Sequence, residues 1–331
     1  MKKILNQLFD YQQLTQQDAY NVLTAIGKGQ YNSSQIAAFL TVYLMRQISV
    51  AELAGFRNAL LDLCLKVDLS EFETIDVCGT GGDGKDTFNI STLSAFVLAG
   101  AGYKVAKHGN YGVSSACGSS NVMEYLGYEF TRDESVLKRQ LDTAGFCMMH
   151  APLFHPAMKN VAPIRRELGV KTFFNMLGPL VNPSFPKYQM VGVFNLEVAR
   201  LYNYMFQKLP GFRFNIVHSL DGYDEISLTG DAISYRREGE QLLSPSRWGM
   251  QRVQPDEIVG GQTVQQAAKI FVSILKNEGS RPQTDVVLAN AAAAIQVFEQ
   301  EKNLEECVAI ARESILSGKA FASLKKVTKI G

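Results

Sequence analysis

The chain has 331 residues, 46% hydrophobic and 20% charged, which excludes a disordered, collagenous or low-complexity protein and leaves one large domain or two. Lys and Arg number 33 against 32 Asp and Glu, a formal net charge of +1, so a general polyanion binder is disfavoured while a local anion pocket is not. The five cysteines (Cys64, Cys78, Cys117, Cys147, Cys307) are scattered without a CxxC pair, against a disulfide framework or zinc cluster, and no run approaches the roughly 18 apolar residues of a membrane span.

The basic start, Met1 to Gln7, meets polar residues at Asp10 and Gln12 before any long apolar stretch, so a soluble protein of a reducing compartment is expected. Residues 1 to about 68 read as short amphipathic helices that must pack on one another or on a partner subunit. Thr15 stands at capping distance from Asp18, Ser33 and Ser34 open the next segment, and Ser49-Val50-Ala51-Glu52 is a capping box. Behind that box Leu53, Phe56, Leu60 and Cys64 share one helical face.

The pattern changes near Ser70. Thr74 to Cys78 is a short β-like run ending in glycines, and a helix follows from about Ser91 to Ala101. Further strands are expected at Tyr103 to Ala106, Phe146 to Met149, Tyr188 to Phe194 and Phe212 to Val217, with helices at Asn121 to Tyr125, Glu134 to Ala144 and Leu196 to Lys208. Strands alternating with helices imply an α/β domain with a mainly parallel sheet flanked by helices, beside a smaller all-α domain. Asp231 to Gln241 reads as an antiparallel excursion. Three helices fill Thr263 to Lys276, Thr284 to Phe298 and Leu304 to Ser317. The proline-rich stretch from Pro152 to Pro186 is too apolar for a tether and is read as packed helix and turn.

Gly79-Thr80-Gly81-Gly82-Asp83-Gly84-Lys85-Asp86-Thr87 follows a strand and precedes a helix. Such a run lets backbone N–H groups converge on an anion, and the helix N-terminus adds partial positive charge. Asn89 or Ser91 is expected to cap that helix while facing the ligand. Gly79, Gly81 and Gly84 satisfy G-x-G-x-x-G, but the acidic residue a dinucleotide site needs about 20 positions on is missing. The same loop spells most of a P-loop, with Asp86 where the metal-binding Ser or Thr belongs. Asp83 inside the loop calls for a metal ion or sugar hydroxyl to take its charge.

The second loop, Lys107-His108-Gly109-Asn110-Tyr111-Gly112-Val113-Ser114-Ser115 and then Gly118-Ser119-Ser120-Asn121, concentrates a cation, hydroxyls and glycines. Two such loops on successive strand ends suggest a ligand with two separated phosphate groups. Asp221-Gly222-Tyr223-Asp224-Glu225 then supplies adjacent carboxylates suited to magnesium, which takes one or two carboxylates plus substrate oxygens. His150, His155 and His218 lack the spacing of a zinc site.

Taken in order, Gly79 to Asp83, Asn89-Ile90-Ser91-Thr92, Lys107 to Asn110 and Asp224-Glu225 resemble the anthranilate phosphoribosyltransferase family. So does Pro163-Ile164-Arg165-Arg166-Glu167-Leu168-Gly169 leading into Phe174 to Pro183, and the likeness spans nearly the whole chain. The resemblance implies the nucleoside phosphorylase (class III phosphoribosyltransferase) fold. A helical domain would span 1–70, completed by about 161–186, and an α/β domain binding phosphoribosyl pyrophosphate would span 71–160 and 187–331. It further implies a cytoplasmic homodimer formed through the helical domain, Mg2+ as cofactor, and neither nucleic acid nor membrane as partner.

By the same resemblance Gly79, Gly82, Asp83, Thr87, Asn89, Ile90, Ser91, Thr92, Lys107, Ser115 and Ser119 bind the phosphoribosyl donor. Gly79, His108, Asn110 and Arg165 face anthranilate, with Gly178 and Pro179 as nearby wall, and Ser91, Asp224 and Glu225 serve the metal. No covalent nucleophile is expected. Tyr111 stands where the family often has arginine, Ala116-Cys117 replaces a more polar pair, and Asn121 takes the place of the usual aspartate. The rivals are a pyrimidine nucleoside phosphorylase, which would run past 400 residues, and a non-catalytic nucleic-acid-binding relative, which should be basic.

Overall fold

The structure, a computed structural model, describes residues 1–112 and 117–328. Two compact units divide the chain: residues 1–67 with 151–185, and residues 68–150 with the chain from 186 onward.

The first unit is helical, with helices Lys2–Phe9, Gln16–Gly27, Ser33–Met45 and Val50–Leu63. Thr15 Oγ1 accepts the Asp18 N–H, and Ser49 and Glu52 exchange the two bonds of a capping box, as their spacing predicts. The third helix differs. Asn32, not Ser33 or Ser34, is its N-cap, because Gln35 three residues on completes a reciprocal box that neither serine has a partner for. Phe39, Tyr43 and Phe56 pack edge to face, and Phe173 from the second segment stacks on Phe56 with centroids 4.6 Å apart.

Residues 151–160, expected with the sheet, group with this unit. Leu65 N–H donates to Phe154 O (2.8 Å), Asn160 Nδ2 donates to Gly27 O (2.8 Å), and Ala157 packs where a Cβ on Gly27 would sit. The connection is nonlocal, so nothing in the run itself marked it. Beyond it lie helices Ala162–Leu168 and Phe174–Leu177 and the 3-10 turn Gly178–Leu180.

Glu52 does more than cap. Its fully buried carboxylate accepts the Leu14 N–H (3.0 Å) and the Tyr43 hydroxyl (3.1 Å), and pairs with Arg46 at 2.5 Å. Burial pushes its pKa up, but Arg46 and the donated N–H groups outweigh that and hold it below the ordinary glutamate range. Glu52→Gln strands the Arg46 charge and is expected to cost about 2 kcal/mol, read as a lowered midpoint in urea unfolding.

The second unit holds a seven-stranded sheet of β1 (Thr74–Gly79), β2 (Lys104–Gly109), β3 (Phe146–His150), β4 (Tyr188–Gly192), β5 (Arg213–Ser219), β6 (Ala232–Arg236) and β7 (Gly239–Leu243). The spatial order is β3-β2-β1-β4-β5-β6-β7. β1 to β5 pair in parallel, and β6 and β7 add antiparallel at one edge, as the Asp231 to Gln241 stretch suggests. The wholly buried faces of helices Ile90–Gly100 and Arg281–Phe298 make the centre of its core.

β2 runs on through Lys107 and His108, which the sequence reading put in a loop; both are buried strand residues in register with Met148 and Met149 of β3. A charge interrupting the apolar run hid them. Helix Arg281–Phe298 starts earlier than expected, opened by Ser280 with a capping box to Gln283. A further helix, Lys319–Val327, was not anticipated. Only Ser317 and the left-handed Gly318 (φ 74°) separate it from helix Leu304–Leu316.

Candidate active site

The acidic doublet is seated by two glycines. Gly79 and Gly192 are register partners at the carboxyl ends of β1 and β4, and Thr80 N–H donates to Gly192 O (2.9 Å). A Cβ on Gly79 would lie 2.5 Å from Asp224 Oδ2, and one on Gly192 only 1.5 Å from Asp224 O. Asp224 therefore rests on bare backbone that no other residue type could offer. Gly192 escaped the sequence reading; its signal was a glycine closing an apolar strand beside the one that ends at Gly79.

From the glycine loop, Gly81 N–H donates to Asp224 Oδ2 at 2.6 Å, with Gly81, Gly82 and Gly84 all at positive φ. Asp83 Oδ1 accepts the Lys85 N–H (3.1 Å), and its Oδ2 accepts the Asp224 N–H (3.4 Å). Three carboxylates are thus neighbours. Burial, and then the Asp83 charge, push the Asp224 pKa up to about 7. Burial and the Asp224 charge push Glu225 well above the ordinary range, against the opposing pull of Lys107 and a bond from the Ser91 N–H.

Lys107 lies beneath this cluster, its Nζ donating to Val77 O (2.5 Å) and Ser91 Oγ (3.4 Å). His108 N–H donates to Asp76 Oδ1 (3.1 Å) inside the sheet. Thr87 bridges antiparallel to Val259 at the loop's far end. Asn89 holds the N-cap position of helix Ile90–Gly100, but neither it nor Ser91 caps it by a side chain; Asn89 Nδ2 instead donates to Cys117 O (3.1 Å), tying the two loops together. Ile90 is core. Thr80 Oγ1 and Thr92 Oγ1 are buried hydroxyls without a hydrogen-bond partner among the described residues.

In the second loop Asn110 O accepts the Ser120 N–H (3.1 Å) and the Ser119 hydroxyl (3.3 Å). Asn121 Oδ1 accepts the N–H groups of both Gly112 and Gly118 at 3.0 Å, the acceptor role an aspartate would also fill. Tyr111 directs its hydroxyl to Glu124 (3.3 Å) and its ring edge to His150. Ser115 and Ala116 lie outside the described residues. Gly79, Gly82, Asp83, Thr87, Asn89 to Thr92, Lys107, His108, Asn110, Ser119, Asp224 and Glu225 all belong to the sheet unit.

Arg165, Gly178 and Pro179 belong to the helical unit. Arg165 is half-buried over the Phe174 ring (5.3 Å), its Nη2 donating to Asn175 Oδ1 at 3.1 Å. Burial lowers its pKa, and among the described residues no carboxylate pairs with it. Gly178 leaves open space where a Cβ would stand.

Among the described residues no group of three or more His, Cys, Asp or Glu is arranged to hold a metal by itself. Asp224 and Glu225 offer instead what a cation sharing its coordination with substrate oxygens requires. No described helix is long and apolar enough to cross a membrane.

Two family models match the chain, the helical bundle domain of a glycosyl transferase family over residues 2–64 and its a/b domain over residues 71–321. The chain is 56% identical over 329 residues to anthranilate phosphoribosyltransferase of Cytophaga hutchinsonii, covering 99% of this chain and 100% of the relative. It is 57% identical to that of Flavobacterium psychrophilum over 330 residues, covering 100% and 99%. The crystal structure of the Thermus thermophilus enzyme superposes with a TM-score of 0.91 at 33% identity, covering 98% of this chain and 97% of that one. The Saccharomyces cerevisiae enzyme in complex with PRPP and Mg gives 0.91 at 29% identity, covering 98% and 96%.

Proposed function

The chain belongs to the anthranilate phosphoribosyltransferase family, and on that premise we propose that it transfers the 5-phosphoribosyl group of phosphoribosyl pyrophosphate to anthranilate in tryptophan biosynthesis. The observation that carries this reading is the seating of Asp224 on Gly79 and Gly192, with the glycine-loop N–H of Gly81 bonded to its carboxylate. In the reaction the amine nitrogen bonds to ribosyl C1 as the C1–O bond to pyrophosphate breaks, and the nitrogen gives up one proton to the departing pyrophosphate or to solvent.

Gly79, Gly82, Asp83, Thr87 and Asn89 to Thr92 are assigned to the donor, whose phosphate oxygens would satisfy the buried hydroxyl of Thr92. Ser115 and Ser119 join them, and Lys107 contributes through Ser91. Positioning donors where charge develops on the leaving group is the main catalytic effect expected, with no covalent nucleophile. Ser91, Asp224 and Glu225 would hold Mg2+, a fit supported by the mutual repulsion of the buried carboxylates, which a divalent cation relieves. Bound there, the ion would neutralise charge on the pyrophosphate.

Arg165 is assigned to the anthranilate carboxylate, supported by a half-buried guanidinium that pairs with no carboxylate among the described residues; Gly79, His108, Asn110, Gly178 and Pro179 are each assigned to the same substrate by family resemblance. Arg165→Ala should raise KM for anthranilate by about 10-fold or more and leave the donor KM within about threefold. Equal rises in both would refute the carboxylate role. The same reading makes the protein a cytoplasmic homodimer joined through its helical unit, where Phe9, Tyr11 and Met45 stand exposed.

The decisive assay follows anthranilate's own fluorescence, which should fall on mixing with phosphoribosyl pyrophosphate, Mg2+ and the protein. No fall with all three present overturns the proposal. Neither rival finds support in the two relatives described above, both named as anthranilate phosphoribosyltransferases.

A further inference from the structure

The segment Tyr223 to Leu228 is buried yet has no regular secondary structure, so its backbone polar groups must find partners outside a helix or sheet ladder. Two side chains supply those of Glu225, Ile226 and Ser227. Asn290, wholly buried on helix Arg281–Phe298, grips Ile226 on both sides: its Oδ1 accepts the Ile226 N–H (3.0 Å) and its Nδ2 donates to Ile226 O (2.8 Å). The second Nδ2 hydrogen goes to Val286 O on its own helix (2.9 Å), so every polar atom of the amide is engaged. Ser219, the last residue of β5, donates from Oγ to Glu225 O (2.7 Å) and accepts the Ser227 N–H (3.1 Å).

The peptide units on either side of Glu225 and Ile226 are thereby fixed to a helix and a strand rather than to neighbouring loop residues. An amide that pairs with both polar groups of one residue imitates a strand, and it does so immediately after the two carboxylates. Asn290 stands in the run Ala289-Asn290-Ala291-Ala292-Ala293-Ala294, where a polar residue is otherwise out of place in a buried face.

We infer that Asn290 and Ser219 are positioning residues for the metal-binding doublet: both are wholly buried, and they set where Asp224 and Glu225 stand. This rests on the assignment of those carboxylates to Mg2+. Misplacing reacting or binding groups by about 1 Å costs as much as 100-fold, so a clamp of this kind bears directly on donor binding.

The test uses the full chain with Asn290→Leu, which keeps the branched heavy-atom shape at a larger volume and removes the bonds, and separately Ser219→Ala, a smaller change that folds even if the first does not. Binding of phosphoribosyl pyrophosphate is titrated calorimetrically without anthranilate at a series of Mg2+ concentrations, and KM for each substrate is measured in parallel. Each variant is expected to raise the Mg2+ concentration for half-maximal donor binding about 10-fold, with KM for anthranilate within about threefold. Asn290→Asp, which retains the acceptor for Ile226 N–H, should fall between wild type and Asn290→Leu. Folded variants whose Mg2+ dependence matches the wild type, or whose two KM values rise equally, overturn the inference alone. A wild-type chain that binds no donor at any Mg2+ concentration overturns the functional reading and this inference with it.

Discussion

Gly192→Ala is expected to lower kcat/KM for the phosphoribosyl donor by about 100-fold or more, the largest loss from any single methyl in the sheet unit. The added Cβ would fall 1.5 Å from Asp224 O, a backbone atom that no rotamer change can move. Either β4 or the Asp224 peptide must retreat, and the carboxylates retreat with it. Overpacking of this kind also costs about 1–3 kcal/mol of stability, so the folded fraction has to be checked by circular dichroism before rates are compared. Gly79→Ala supplies the internal comparison. Its Cβ meets the Asp224 carboxylate oxygen at 2.5 Å, and a side chain can swing aside, so a smaller defect is expected. Steady-state kinetics on both variants decide the matter: a Gly192→Ala enzyme within a few-fold of wild type means that the doublet does not need its glycine seat.

What the sequence disclosed was local. Thr15 and the Ser49–Glu52 box announced helix starts because a cap involves residues three apart. The glycine loop was legible because its chemistry lies in consecutive residues. Asp224-Glu225 stood out less, since a lone acidic dipeptide is usually a solvated turn; it was read as metal-binding only beside the two loops. Contacts between distant segments stayed hidden. Gly192 matters through Asp224, which lies 32 positions later, Asn290 through Ile226, and residues 151–160 through Gly27 and Leu65. Lys107 misled for a related reason: a lysine looks like a loop residue unless its counter-charge, here Glu225, is known to lie above the strand. Asn32 was overlooked for a simpler cause, since two adjacent serines drew the cap one residue too far.

Asp224→Asn should separate the electrostatic cost of the doublet from its use. In the metal-free wild type, burial and Asp83 raise the Asp224 pKa to about 7, so the folded chain holds this proton more tightly than the unfolded one. Between the ordinary aspartate range near pH 4 and about pH 7, the unfolded carboxyl ionises while the folded one stays protonated. Stability therefore declines as pH rises through that window and levels off above it. Asparagine has no such penalty. It keeps an acceptor for the Gly81 N–H and turns its amide hydrogens toward Asp83. In a chelator, the variant should match the wild type near pH 4 and exceed it at pH 8 by on the order of 4 kcal/mol, read from thermal midpoints. Added Mg2+ reverses the ranking of function: the variant should lose about 100-fold in kcat/KM and need at least about 10-fold more Mg2+ for half-maximal rate. A variant less stable than wild type at pH 8 without metal would mean that the carboxylate is a structural acceptor first. Superimposable Mg2+ titrations would remove Asp224 from the metal site, whatever its stability.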